Sequence, residues 1–262
     1  MNLSEATVLS NFQVNARYWK MILNISNFMT SSVKPGQFFH IQCSNEHAPI
    51  LRRPFSIYKI NERENTLEFL YLVKGTGTKK LSEKQPGESL SILGPLGNSF
   101  SINRSSSGIL LAGRGVGIAT LSALAYHSVK MNIPCTAILS ARSEKDVLVK
   151  KELEAAGVSV LAVTDEDGTS EISRVEKLVL NLMKEKKLDS VYTCGSKRLT
   201  TMLQTLAIRH RLFAQAALEE NMGCGMGACF ACVCDIREQN EIRSVRICRE
   251  GPVFPLEKVV LS

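Results

Sequence analysis

Four cysteines near the C-terminus, Cys224, Cys229, Cys232 and Cys248, stand in the spacing C-x4-C-x2-C-x15-C. No other feature constrains the fold so tightly, because a short loop must wrap one small centre while a distant segment returns to close it. The C-x4-C-x2-C…C spacing is that of plant-type [2Fe–2S] sites. Such a centre carries single electrons, so the pattern points to redox traffic rather than to hydrolysis or group transfer. Gly223, Gly225 and Gly227 supply the positive φ and close approach that a backbone turning its N–H groups toward sulfur needs. Two rivals stand beside this reading. Four thiolates also suit tetrahedral zinc, although zinc sites favour paired C-x2-C knuckles. Cysteines also occur simply as small buried hydrophobes. Cys43, Cys135 and Cys194, each in an apolar stretch, read that way, and Cys234 fits no slot of the pattern and reads as a bystander.

A chain of 262 residues has room for two modest domains, each with its own core. No apolar run reaches the roughly 18 residues of a membrane span. Met1 to Asn24 mixes polar and charged residues without an apolar export signal. Eight cysteines in such a chain argue for ligands and reduced thiols rather than a disulfide scaffold, with the cytoplasm as the expected location. The net charge of +7 does not imply nucleic acid, because the basic residues form no long patch with interleaved aromatics. Lys184-Glu185-Lys186-Lys187, the densest run, reads as a solvated helix end. A mildly basic surface suits anionic cofactors or an acidic partner.

The first hundred residues read as β-rich. Strands are expected after the Pro35-Gly36 turn to Gln42, at Pro54 to Ile60, at Thr66 to Val73 and at Ser89 to Leu93, parted by glycine and proline turns. Short strands at that spacing predict a small barrel or sandwich. Beyond Ser105-Ser106-Ser107 the pattern alternates. Apolar strands at Gly108 to Ala112, Thr136 to Ser140, Val158 to Val163 and Val191 to Cys194 are separated by helical patterns to about Lys130 and at 146–156, 172–187 and 197–208. That alternation predicts a parallel sheet with helices on both faces. The fold class is therefore a β barrel plus an α/β domain, ending in a small cysteine segment. The expected divisions are 1–103, 104–215 and 216–262.

Arg52-Arg53-Pro54-Phe55-Ser56 offers planar guanidinium forks suited to phosphate oxygens. Gly75-Thr76-Gly77-Thr78 reads as a glycine turn whose N–H groups and hydroxyls suit a pyrophosphate. Alone, the two read more readily as a strand entry and a hairpin turn. The histidines, His40, His47, His127 and His210, are scattered and read as core or surface residues, and no serine stands in a nucleophile elbow.

Taken together, Arg53-Pro54-Phe55-Ser56, Gly75-Thr76-Gly77-Thr78, Gly94-Pro95-Leu96-Gly97-Asn98-Ser99-Phe100 and the terminal cysteines fall in the order seen in ferredoxin-reductase-like flavoproteins. Leu218-Glu219-Glu220-Asn221-Met222 before the cysteines, and Gly251-Pro252-Val253-Phe254 after Cys248, resemble the electron-transfer subunits of bacterial NAD-dependent dihydroorotate dehydrogenases. The resemblance covers nearly the whole chain. It implies an FAD between barrel and α/β domain, with Arg53, Pro54, Phe55 and Ser56 at the flavin and its phosphates. Leu70, Tyr71 and Leu72, with Gly77 and Thr78, would complete that wall. It implies a [2Fe–2S] cluster on Cys224, Cys229, Cys232 and Cys248. It also implies a catalytic partner with its own FMN, assembled as a heterotetramer of two of each subunit, and electrons passing from dihydroorotate to NAD+. Related subunits serve ferredoxin:NADP or sulfide-linked complexes, and a flavin-less zinc module is the reading outside redox chemistry.

The nicotinamide motifs depart from the family pattern. In Ala112-Gly113-Arg114-Gly115-Val116-Gly117-Ile118-Ala119-Thr120, Arg114 replaces a glycine and Thr120 a proline. In Cys194-Gly195-Ser196, serine replaces proline. The acidic loop Thr164-Asp165-Glu166-Asp167-Gly168 is kept. On this reading the Arg114 side chain projects where a dinucleotide or flavin should approach. Either Arg114 and Arg198 bind nucleotide phosphates, or nicotinamide binding has weakened.

Overall fold

The computed structural model describes residues 2–25, 30–44, 48–239 and 241–261. Its N-terminal part is a closed antiparallel barrel in the order β1-β2-β5-β4-β3-β6. These strands are β1 (Asn2–Gln13), β2 (Tyr18–Asn24), β3 (Phe38–Ile41), β4 (Arg53–Asn61), β5 (Thr66–Leu72) and β6 (Ser89–Leu96). Met21, Leu23, Phe39, Ile41, Ile57, Leu67, Phe69 and Ile92 fill the barrel, at the alternate positions a pleated strand turns to one side. The reading of Met1 to Asn24 assigned no strand there. β1 buries only Ala6 and Val8 and exposes Leu3, Leu9 and Phe12, so its alternation is weak, and pairing with β2 and β6 supplies its order.

Gly75-Thr76-Gly77-Thr78, expected as a turn, instead opens helix α1 (Thr76–Ser82). The Thr78 Oγ accepts from the Lys74 and Gly75 N–H groups at 2.9 and 3.1 Å. The hydroxyl thus organises the start of its own helix, leaving Thr78 to line the cavity described below.

The second part is a six-stranded sheet in the order β14-β11-β10-β7-β8-β9. It uses β7 (Ile109–Arg114), β8 (Cys135–Ala141), β9 (Ser159–Thr164), β10 (Ser190–Cys194), β11 (Phe213–Ala217) and, antiparallel at the edge, β14 (Val253–Pro255). Helices α2 (Ile118–Lys130), α3 (Lys150–Ala155), α4 (Ile172–Lys186) and α5 (Lys197–His210) cover it. One core joins Leu111, Ile118 and Tyr192 to Tyr18, Tyr58 and Leu70 of the barrel. The other joins Leu110, Ile138, Val179 and Leu203 to Ile247, Cys248 and Phe254 of the C-terminal segment. Burial on both faces explains why these strands read as continuous apolar runs.

The helix expected over 146–156 is shorter, because Val149 takes a left-handed φ of 58° and separates α3 from a single 3-10 turn at Glu144–Asp146. The Lys184–Lys187 run does end a helix, with its side chains exposed. The last elements are the hairpin β12 (Val233–Glu238) and β13 (Glu241–Arg246), and the turn of helix α6 (Ile247–Glu250). No helix among the described residues is long and apolar enough to cross a membrane.

A polar joint fixes barrel against sheet. Lys20 Nζ, from β2, lies 2.7 Å from Glu152 Oε2 on α3 and 3.7 Å from Glu68 Oε2 on β5. Tyr58 donates its hydroxyl to the same Glu152 Oε2 at 2.7 Å. Lys20 is nearly buried, so removing its nearest carboxylate leaves a charge short of a partner. Glu152→Ala is therefore expected to lower the unfolding free energy by about 2 kcal/mol, measured by urea denaturation. A loss below about 0.5 kcal/mol would mean that the joint behaves as an ordinary surface pair.

Candidate functional site

Between barrel and sheet lies a cavity of ≈ 430 Å³. Arg53, Pro54, Phe55, Ser56, Leu70, Tyr71, Leu72 and Thr78 line it. These are all the expected flavin residues save Gly77, which lies behind the wall, where a Cβ would meet Arg53 Nε at 3.4 Å. The two arginines part at the entry to β4, which begins at Arg53. Arg52 is a barrel strut that donates to Ser91 O at 2.7 Å and Ser91 Oγ at 2.9 Å. Arg53 donates through Nη1 to Leu51 O at 2.6 Å, which sets its guanidinium at the cavity edge.

The opposite wall was not foreseen. Leu218, Glu219, Glu220, Asn221 and Met222, with Phe38, Val116, Ala119 and Pro252, complete the cavity. The Leu218–Met222 segment carried a family signal but no local sign of facing a cofactor. The Leu218 N–H donates to Pro252 O at 2.9 Å, and Asn98 bonds Gly251 O and Glu250 O, both at 2.6 Å. The Gly94–Phe100 motif thus clamps the C-terminal segment onto the barrel. Burial raises the Glu219 carboxyl above its ordinary range, and its Oε1 lies 3.8 Å from Cys194 Sγ. Cys43, Cys135 and Cys194 are buried; burial pushes the Cys43 and Cys135 thiols up to about 11 and about 12.

The chain leaving this wall runs directly into the cysteines. Cys224 Sγ accepts the Ala228 N–H at 3.3 Å and those of Met226 and Cys229 at 3.4 Å. The Cys224 N–H faces Cys229 Sγ at 3.4 Å. Burial pulls the Cys224 thiol up, but these backbone donors outweigh it and bring it down to about 6. Cys248, buried at the start of α6, directs its N–H to Cys232 Sγ at 3.5 Å. Burial pushes its thiol up to about 12. The four cysteines thus form two pairs, Cys224 with Cys229 and Cys232 with Cys248. Among the described residues no three His, Cys, Asp or Glu side chains converge on one point as a single-ion site. Paired thiols ringed by inward N–H groups fit a two-iron centre better than one tetrahedral ion. Cys234, half-buried on β12, joins neither pair.

The nicotinamide motifs have a different geometry from the expectation. Arg114 does not line the cavity. Its guanidinium forms a two-pronged pair with Asp165 and donates to Ser140 Oγ at 2.9 Å. The kept acidic loop draws the side chain away across the ends of β8 and β9. The Arg114 hydrogen bonds hold the Asp165 carboxyl down at about 2, and Arg198 adds a weaker pull. Ser196 acts as the N-cap of α5, accepting the Leu199 N–H at 3.4 Å, a role serine fills well. Gly117 packs against β10, where a Cβ would lie 2.8 Å from Cys194 O. His47 lies outside the described residues.

A sequence model of the iron-sulfur cluster binding domain of dihydroorotate dehydrogenase B matches residues 219–260. The dihydroorotate dehydrogenase B (NAD(+)) electron transfer subunit of Bacillus pumilus is 36% identical over 270 residues, covering 100% of both chains. The corresponding subunit of Desulforamulus reducens is 31% identical over 98% of this chain and 97% of its own. Among solved structures, a chain of the NADH-dependent reduced ferredoxin-NADP oxidoreductase superposes with a TM-score of 0.81 at 23% identity, over 98% of this chain and 90% of its own. These folds place the chain among ferredoxin reductase-like structures.

Proposed function

The chain belongs to the family of dihydroorotate dehydrogenase B electron transfer subunits, and we propose that it passes electrons between a dihydroorotate-oxidising partner and NAD+ in pyrimidine synthesis. One observation carries the reading. The Leu218–Met222 segment walls the cavity and leads within two residues to Cys224, so a flavin site and a cluster site share one strap.

Arg53 to Ser56, Leu70 to Leu72 and Thr78 hold FAD, and Cys224, Cys229, Cys232 and Cys248 hold the [2Fe–2S] cluster. When bound, the flavin supplies two-electron exchange with nicotinamide and the cluster one-electron exchange with the partner. Phe55 and Tyr71, edge to face at 5.6 Å, give the cavity a rigid apolar wall that excludes water. Glu219 lines the cavity beside Cys194, and burial raises its carboxyl pKa, which favours a proton there over a charge. The barrel, the α/β domain and the segment from 216 onward thus divide flavin, nucleotide and cluster binding.

The partner is an FMN-containing catalytic subunit, in a heterotetramer of two of each. Exposed Met226, Phe230 and Val233 surround the cysteine loop, and the Arg246 guanidinium stacks over Phe230 with Cζ 4.7 Å from its ring centre. This apolar collar suits a docking face. Eight cysteines, none in a disulfide, suit a reducing cytoplasm.

The protein co-purified with its catalytic partner should show flavin and iron–sulfur absorbance and reduce NAD+ with dihydroorotate. A colourless protein with one equivalent of zinc, or a coloured complex inert toward dihydroorotate, would overturn the proposal. NADH should bleach the flavin. Arg114→Ala should free the Asp165 loop at the ends of β8 and β9 and raise the NADH KM about threefold, the scale of a half-exposed ion pair, with the flavin spectrum unchanged. An unaltered KM would remove Arg114 from nucleotide binding.

A further inference from the structure

Arg246 stands between the two segments that carry the cysteines. It closes β13 and caps the start of α6, two residues before Cys248. Its Nε donates to Glu250 Oε2 at 3.1 Å and its Nη2 to Glu250 Oε1 at 2.5 Å. Glu250 Oε2 also accepts the Arg246 N–H at 2.8 Å. This two-pronged pair brackets Cys248 and fixes the plane of the guanidinium. The third prong leaves the pair. Arg246 Nη1 donates to Gly227 O, across in the cysteine loop, at 2.9 Å. Gly227, at φ +88°, lets the two segments approach, since a Cβ there would meet Arg249 Cβ at 3.3 Å and Arg246 Nη1 at 3.6 Å.

The Gly227 carbonyl shares its peptide with the Ala228 N–H. That peptide is trans, so its C=O and N–H point in opposite directions within one plane. One end takes Arg246, and the other donates to Cys224 Sγ at 3.3 Å. Turning the plane to lose one bond disturbs the other. A charged donor on the carbonyl also polarises the peptide and strengthens the bond its N–H gives. A surface ion pair would account for the contact with Glu250. It does not account for a third donor aimed at the loop.

We propose that Arg246 is a positioning residue of the iron–sulfur site: through the Gly227–Ala228 peptide it aims an N–H at the Cys224 sulfur and so raises the reduction potential of the cluster. Hydrogen bonds to sulfur help set such potentials, because a donor favours the more negative, reduced state. The role rests on the cluster reading of the four cysteines.

The test is a redox titration of the holoprotein with its partner, followed by electron paramagnetic resonance. Removing the guanidinium alone would also remove a positive charge near the cluster. The deciding variant therefore combines Arg246→Met with Glu250→Gln, which leaves the net charge unchanged. It should keep its iron and shift the one-electron equilibrium about threefold toward the oxidised cluster, a potential lower by ~28 mV at 59 mV per tenfold. Arg246→Lys keeps the charge but not the fork, and should lose part of the same amount. An unmoved or raised potential in the loaded double variant overturns the inference. Should that variant not load iron, Arg246→Lys decides, since an unmoved potential there means that charge alone suffices. Loss of iron from both, with the flavin retained, would make Arg246 a builder of the loop rather than a tuner of its centre, and overturns the inference as well. A wild-type protein with no reduced cluster signal overturns the cluster reading itself, and the inference with it.

Discussion

Exchange of Cys248 for serine is expected to remove the iron–sulfur absorbance and lower dihydroorotate-dependent NAD+ reduction by about 100-fold or more, while NADH still bleaches the flavin. Even the groups that merely orient metal ligands cost 10- to 100-fold when changed, and a lost ligand should cost no less. In the proposed site, Cys248 is the ligand that would arrive from elsewhere in the chain. It sits on α6, beyond the β12–β13 hairpin, and its N–H faces Cys232 Sγ at 3.5 Å. Without it the Cys232–Cys248 pair is broken, and the proposed cluster would lose one of its four thiolates. The FAD cavity draws nothing from Cys248, so flavin chemistry should survive. Because the side chain also packs in the core with Ile247 and Phe254, the new hydroxyl should cost about 1–3 kcal/mol of stability. Cys234→Ser is the control, since that thiol belongs to neither pair. Iron content measured on both variants decides the matter. Full iron in Cys248→Ser, or lost iron in Cys234→Ser, would show that the ligand set is wrong.

What could be read from the sequence depended on whether the signal was local. The central strands β7, β8 and β10 were legible because both their faces are buried, which writes an unbroken apolar run. β1 was not, because its partners rather than its own pattern order it. β14 was equally hidden: Val253 to Pro255 pair with β11 from 36 or more residues away, and nothing nearby announces a strand. The cysteine spacing was legible because spacing and residue type alone encode its chemistry, whereas the Arg53–Ser56 stretch became legible only through the order of motifs along the whole chain. The Leu218–Met222 wall and the Arg114–Asp165 pair were not, since both exist only once distant segments meet. His40 shows the limit most clearly. It read as a core or surface histidine, and it is a core residue, yet its bare nitrogens and its contact with Gly225 appear only in three dimensions.

The same dependence on three-dimensional placement sets the second large effect. Arg52 and Arg53 are neighbours in sequence, Arg52 just before β4 and Arg53 at its first position, and they take opposite tasks. Arg53→Ala is expected to weaken FAD binding about 100-fold, or ~2.8 kcal/mol, as measured by flavin fluorescence on adding FAD to the flavin-free protein. That size follows from two charge-assisted bonds to phosphate oxygens at about 1.5 kcal/mol or more each. Gly77 behind the guanidinium leaves room for it to remain at the cavity edge, where its Nη1 bond to Leu51 O already orders it before any ligand arrives. Preorganisation of that kind means little binding energy is spent on fixing the side chain. Arg53→Lys should restore only part of the affinity, because an ammonium keeps the charge but not the fork. Arg52→Ala should behave oppositely. Its guanidinium holds Ser91 of β6 and Gln42 beyond β3, so its loss should lower the melting temperature and leave FAD affinity within about threefold, below ~1 kcal/mol. Equal affinity losses in the two alanine variants would mean that general positive charge, rather than a placed fork, holds the flavin phosphates.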